Sequence, residues 1–177
     1  MATRALTGDR ERFVELLKTH DRGLRSLAYR LLGDRDCMDD VLQEAYLKAY
    51  RALPGFRGDA EVGTWLYRIV YNASVDCIRR DATRQAVPLT DLTNLASRRH
   101  DDPAVIVAGR QDLAAALAAL PPEQRAAVLL VDAQGFDHAL AADVMGVPVG
   151  TVGSRLHRAR AALRQALGDT YDAEEGR

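Results

Sequence analysis

Apolar residues recur three and four positions apart along most of this chain, which is the spacing of one face of an α-helix. Residues 10–19 predict a short first helix with Phe13, Val14, Leu16 and Leu17 as its apolar side. Residues 21–32 predict a second, with Leu24, Leu27, Ala28, Leu31 and Leu32 in register. Gly33 is placed to end that helix and Asp34 to cap the next. The third, 35–53, gathers Met38, Val41, Leu42, Ala45, Tyr46, Ala49 and Leu53 into one stripe. The stretch PGFRGDAEVG, 54–63, holds a proline and three glycines and predicts a loop. Thr64 suits the cap of a fourth helix whose core stripe is Leu66, Ile69, Val70, Ala73 and Cys77.

The period is lost over 81–103, where Pro88 and scattered Asp, Thr and Asn predict a flexible linker. It is longer than a compact domain tolerates as a structureless loop, so it is expected to have a job. Helical spacing resumes at 104 and is broken by Pro121 and Pro122, the latter suited to the first turn of a new helix. Gly135 closes that helix, Asp137 can cap the next, and Gly146, Val147 and Pro148 make a tight turn before a last helix from Val149. The expected fold is all-α: two small helical domains, 1–80 and 104–168, joined by the linker 81–103 and followed by an acidic tail, 169–177. The second domain ends in a helix-turn-helix, with Ala141, Ala142 and Val144 facing Val152, Leu156 and Leu163.

Composition supports a packed core, with 47% apolar and 28% charged residues in 177. Charged residues interrupt the N-terminus before any apolar run forms. No stretch suits a membrane span, so a cytoplasmic chain is expected. Cys37 and Cys77 are too few, and too far apart in sequence, for a disulfide framework or a zinc cluster; they read as half-buried thiols in a reducing compartment. The histidines at 20, 100, 138 and 157 fall in no metal-ligand spacing. Neither metal nor cofactor is expected, and no nucleophile–base pair, carboxylate pair or phosphate loop points to an enzyme.

Charge changes the picture by its distribution. The formal net charge is −1, yet residues 146–163, GVPVGTVGSRLHRARAAL, hold Arg155, Arg158 and Arg160 with no acid among them, and Arg164 follows. Packing the helix-turn-helix leaves Thr151, Ser154, Arg155 and Arg158 on the opposite side, where they could enter a major groove. A local cationic patch suffices to replace counterions along phosphates. On the fourth helix Arg68, Asn72 and Arg79 share a side, with Arg80 beside them; Asn can read base edges and Arg can hold phosphates. Phe56, Trp65 and Tyr67 lie around the glycine-rich loop and suit stacking on unpaired bases, with core packing the alternative for Phe56 and Trp65. The start of the third helix is the reverse: over 34–44, Asp34, Asp36, Asp39, Asp40 and Glu44 stand against Arg35 alone. First-turn acids favour the helix dipole. The remaining acids would repel DNA and suit a protein partner with a basic surface.

DDVLQEAYLKAYRALPGFRG, TWLYRIVYNASVDCIRR, LPPEQRAAVLLVDAQGF and the last-helix segment, in that order, resemble bacterial extracytoplasmic-function (ECF) sigma factors over about residues 10–168. The resemblance implies an initiation factor that binds core RNA polymerase through the beta-prime clamp helices and the beta flap. It recognises promoter DNA and is regulated by an anti-sigma factor. Asp39, Asp40, Gln43 and Glu44 match the helix that docks on the clamp helices. Phe56, Arg57, Gly58, Thr64 and Trp65 match the region that captures a flipped minus-ten base, where protein contacts replace lost stacking. Arg68, Asn72, Asp76, Arg79 and Arg80 match the helix along the non-template strand of that element. Gly150, Thr151, Ser154, Arg155 and Arg158 fall on the reader of the minus-35 element. The linker matches a segment threaded toward the polymerase active centre. Two features depart from the family pattern: Gly153 stands where a basic residue is common, and Ala139 and Leu140 replace a glutamate pair. Gly153 removes a possible DNA contact and loosens the helix by about 1 kcal/mol relative to alanine. The alternative from the helix-turn-helix alone is a stand-alone DNA-binding regulator, which leaves the acidic third helix and the Trp65 loop without a purpose.

Overall fold

The computed structural model describes residues 2–55, 61–85 and 108–171, and those residues form seven α-helices and no strand. The helices are α1 Ala2–Leu32, α2 Arg35–Ala52, α3 Val62–Gln85, α4 Ala108–Ala119, α5 Pro122–Val128, α6 His138–Met145 and α7 Val149–Tyr171. A 3-10 turn, Leu53–Gly55, follows α2, and α5 runs on into one π-helical turn, Leu129–Ala133.

α1 is a single helix of 31 residues where the apolar pattern predicts two. Thr19, His20 and Asp21 hold nothing that interrupts a backbone ladder. Gly23, costly inside a helix by about 1 kcal/mol, is there for packing: a Cβ at this position would collide with the Tyr67 hydroxyl. The predicted stops hold. Gly33 takes a left-handed φ of 71° and Asp34 accepts a hydrogen bond from the Cys37 amide at 2.8 Å. Asp137 caps α6 through the Leu140 amide at 2.8 Å, and Gly146 closes it at φ 63°. Thr64 does not cap α3: the helix starts at Val62, and Thr64 is buried within its first turn.

Leu24, Leu27, Leu31, Leu42, Leu66 and Val70 fill the interior of the α1–α3 unit. Leu129, Leu130, Val144, Val152 and Leu156 fill that of α4–α7. Each such burial contributes about 1.5–3 kcal/mol. The two units also pack on each other, α6 lying against α3, so their interiors join in one apolar cluster. This explains why Tyr67, Tyr71, Ser74 and Val75 of α3 are buried although they lie outside its predicted stripe. The Tyr67 hydroxyl donates to Gln134 Oε1 at 2.9 Å and its ring meets Phe136 edge-on at 4.8 Å. Arg125 of α5 donates from Nη1 to the Leu31 carbonyl at 2.7 Å and from Nη2 to Ala118 and Leu120 at 2.6 and 3.0 Å.

α3 runs five residues past the expected boundary at 80, shortening the linker from its N-terminal side. The rest of the linker, 86–103, and the tail from 172 lie outside the described residues. The packing of α2 on α3 closes the 40-residue gap between Cys37 and Cys77, which the sequence argument against a shared site did not anticipate. Burial, then Asp34, Cys77 and Asp81, push the Cys37 thiol up to about 11. Among the described residues no helix is long and apolar enough to cross a membrane.

Candidate nucleic-acid interface

α2 buries its apolar stripe against α1 and α3 and turns Asp36, Asp39, Asp40 and Gln43 outward, with Glu44 at the edge. Two of these acids are engaged within the chain. Asp39 accepts from Arg25 Nη1 at 2.9 Å. Glu44 binds Lys48 at 2.7 Å and Arg80 at 3.7 Å, and Lys48 first, then Arg80, holds its carboxyl below the usual carboxylate range. Arg25 also reaches Asp21 at 3.1 Å, and Asp21 accepts the Tyr46 hydroxyl at 3.0 Å. Beside this face an open groove of about 470 Å³ is lined by Phe13, Val14, Leu17, Gln43, Tyr46, Leu47 and Tyr50.

On α3, Asn72, Asp76, Arg79 and Arg80 are exposed in the order that helical spacing predicts. Trp65 is half-buried against the core. Arg68 is not turned to solvent alone: Nε donates to the Asp143 carbonyl at 2.7 Å and Nη2 lies 3.1 Å from the Asp143 carboxylate. Phe56, Arg57 and Gly58 lie outside the described residues.

The face expected of α7 is divided. Gly150, Ser154 and Arg158 are exposed, the Ser154 hydroxyl donating to the Thr151 carbonyl at 3.0 Å. Thr151 and Arg155 are half-buried, and Arg155 Nη1 is enclosed without a hydrogen-bond partner among the described residues. Arg155 of α7 lies near enough to Tyr71 of α3 to act on it. Burial pushes the Tyr71 phenol up, and the Arg155 cation opposes that rise. Arg160 forms a two-point pair with Asp132, at 2.6 and 3.1 Å. A Cβ built at Gly153 meets nothing within 4 Å.

An acidic face, a polar and basic helix, and a helix-turn-helix thus lie in sequence on one two-unit frame. Residues 16–84 match the family Sigma-70 region 2, and residues 110–163 match Sigma-70, region 4. Over 163 residues the chain is 43% identical to the ECF RNA polymerase sigma factor SigM of Mycobacterium tuberculosis, covering 92% of this chain and 81% of that protein. The chain belongs to the ECF sigma factors of the sigma-70 family. It is a promoter-directing transcription initiation factor, from a family of transcription factors and not of enzymes. The ECF RNA polymerase sigma-E factor of Escherichia coli is 32% identical over 178 residues, covering 92% of this chain and 90% of that one. The sigma factor RpoE of Bartonella quintana, solved in complex with the anti-sigma factor NepR, superposes with a TM-score of 0.70 at 26% identity over 89% of this chain and 98% of that chain. CnrH, solved with the cytosolic domain of CnrY, gives 0.66 at 25% identity over 96% of each chain.

This ECF factor holds its two units so that Arg68 of one is engaged by Asp143 of the other, and Arg155 is turned into the protein. Of the residues that join the units, Arg125, Gln134, Phe136 and Asp143 escaped sequence reasoning, and Tyr67, expected to stack on bases, is instead buried against Phe136 and Gln134. Their signal was weak but present: Tyr67 and Tyr71 widen the apolar face of α3 beyond a single stripe.

Proposed function

We propose that the outer face of α2, with Asp39, Asp40, Gln43 and Glu44, docks on the beta-prime clamp helices of core RNA polymerase. Leu47 and Tyr50, exposed at the rim of the adjoining groove, extend that contact with apolar surface. The exposed row Asn72, Asp76, Arg79 and Arg80, with Arg68 and Trp65, follows the minus-ten non-template strand. The loop of Phe56, Arg57 and Gly58, with Thr64, completes the base-capturing region. Gly150, Thr151, Ser154, Arg155 and Arg158 read the minus-35 duplex, and the open groove along α7 near His138 and Leu163 is the surface offered to the beta flap. Promoter engagement requires the units to separate, since Arg68 and Arg155 are held inside their contact. The anti-sigma factor NepR, solved with RpoE, supports a regulator of the same kind acting on this chain in the cytoplasm. Melting follows if unpaired minus-ten DNA is bound better than duplex.

The observation that supports the polymerase dock most directly is the exposed Asp40–Gln43 edge on a helix where Asp39 and Glu44 are internally paired. Mixed with bacterial core polymerase, the wild type is expected to co-elute in gel filtration and the Asp39→Lys plus Asp40→Lys variant to elute alone. Asp40→Lys by itself, which leaves the Arg25–Asp39 pair intact, is expected to weaken co-elution. Failure of the wild type to bind core, with tight binding of duplex DNA by the chain alone, would give the stand-alone regulator the lead.

A further inference from the structure

Where the first turn of α2 meets the C-terminal half of α3, two thiols and a carboxylate converge. Cys37 Sγ, Cys77 Sγ and an Asp81 carboxylate oxygen all lie within 4.8 Å of one another, each residue half-buried. Cys77 and Asp81 stand four apart on α3, the spacing that presents two side chains on one helix face, and their Sγ–Oδ2 distance is 3.9 Å. Asp34 sits behind Cys37, capping α2 through the Cys37 amide. After burial, the neighbours that act on the Cys37 thiol are Asp34, Cys77 and Asp81. Soft and hard ligand atoms are thus gathered at one point.

We propose that Cys37, Cys77 and Asp81 bind a thiophilic divalent cation of the zinc class, with Asp34 orienting Cys37. Tetrahedral zinc, at about 2.3 Å from sulfur and 2.0–2.2 Å from oxygen, holds its ligand atoms about 3.5–3.8 Å apart. The present spacing therefore needs a contraction of at most about 1 Å, within reach of side-chain rotation. Both thiols give up their protons to solvent on binding, and the cation balances the negative charge that this creates. Water completes the fourth position. A disulfide is the less fitting use of the pair, since the acidic surroundings disfavour the thiolate that must attack.

The position gives the site a consequence. Cys37 precedes Asp39 and Asp40 by two and three residues, and Cys77 precedes Arg79 and Arg80 by the same intervals. A bound cation would clip the start of α2 to α3 and fix the register between the acidic face and the exposed arginines. The proposal stands apart from the polymerase and promoter assignments, because binding is measured on the chain alone.

The full chain, reduced with a phosphine in place of a thiol, is titrated with Co²⁺. The expected result is uptake of one ion per chain with thiolate-to-cobalt charge-transfer absorption, displaced by one equivalent of Zn²⁺. The Cys37→Ser plus Cys77→Ser variant is expected to lose that absorption while keeping its helical circular dichroism. Asp34→Asn, which retains a good capping side chain, is expected to weaken affinity by about 10–100-fold. Zinc is also expected to raise the Tm of the wild type and leave the double variant unmoved. Absence of cobalt uptake by the wild type, or an unchanged spectrum in the double variant, overturns the proposal. So does a chain that loses two hydrogens to an internal disulfide in air and takes up no metal.

Discussion

α2 and α7 are both long amphipathic helices, one acidic and one basic, and they use their charge differently. On α2 the acids Asp39 and Glu44 are tied to Arg25, Lys48 and Arg80, and Asp40 is left outward. On α7 Arg160 is tied to Asp132, Arg155 is turned inward, and Arg158 is left outward. Formal charge counted along either helix therefore overstates what a partner meets. What a partner meets at first contact is the unpaired remainder, and the rest becomes available only when internal contacts open.

Arg125 is the extreme of the engaged class, serving three backbone carbonyls from a guanidinium whose burial holds it below its ordinary value. Arg125→Ala orphans those carbonyls and is expected to cost about 2–4 kcal/mol of stability, from about 1–3 kcal/mol per buried acceptor left unsatisfied with partial relief by water. Denaturant unfolding checks this; a change under 0.5 kcal/mol would show that the cation is not needed where α1 meets α5. Arg158, at the outward extreme, should behave in the opposite way. Arg158→Ala is expected to leave stability within about 0.5 kcal/mol and to weaken minus-35 duplex binding by about 1–3 kcal/mol if it reads a base. If it holds a phosphate, the loss is uniform across sequences and the salt slope falls by about 1. Fluorescence anisotropy with matched and scrambled duplexes separates the two.

The helices themselves were legible because their apolar spacing and stop signals are local: Gly33, Asp34, Asp137 and Gly146 each act within four residues of where they stand. The single long α1 was not legible, because the apolar spacing divides near residue 20 where the backbone does not, and the packing reason for Gly23, the Tyr67 hydroxyl, lies 44 residues away. On α3, Asn72, Arg79 and Arg80 came from periodicity and Asp76 from the family resemblance. That Arg68 is engaged and Arg155 half-buried did not, since their surroundings lie far away in sequence. The Cys37–Cys77–Asp81 juxtaposition was missed for the same reason: sequence distance is a poor guide once two antiparallel helices pack.

Gly153 sharpens the contrast from the α7 side. With open space at its Cβ, Gly153→Ala is expected to stabilise the chain by about 1 kcal/mol through helix propensity alone. Gly153→Lys should keep most of that gain and tighten duplex binding by a salt-sensitive amount. Thermal unfolding beside a binding titration reads both, and an unchanged promoter affinity for the lysine variant would show that this position faces away from DNA. Asp143→Ala tests the engaged arginine on α3. Both side chains are about half exposed, so the pair is worth less than about 1 kcal/mol. Tyr67–Gln134 and Arg125–Leu31 still join the units, and binding of a minus-ten non-template oligonucleotide should tighten by less than about fivefold. No tightening would show that the Asp143 carboxylate does not withhold Arg68 from DNA, since the hydrogen bond to the Asp143 carbonyl survives this substitution.

The smallest effect tests whether the acids of α2 are paired in solution as they are in the structure. Lys48 and then Arg80 depress the Glu44 carboxyl, so the folded state holds its proton less tightly than the unfolded chain does. The contribution of these pairs is fully present above the ordinary glutamate value of about 4.3. It is lost as pH falls through the lower folded value. Glu44→Gln is therefore expected to lower Tm slightly at pH 7, and the gap to the wild type should close below about pH 4. The side chain is 44% exposed, so screening keeps the gap small and 1 M salt should also narrow it. A gap that persists in acid would mean that glutamine disturbs packing and not charge. Glu44 would then be an unpaired acid, and α2 would present more negative charge to a partner than the structure shows.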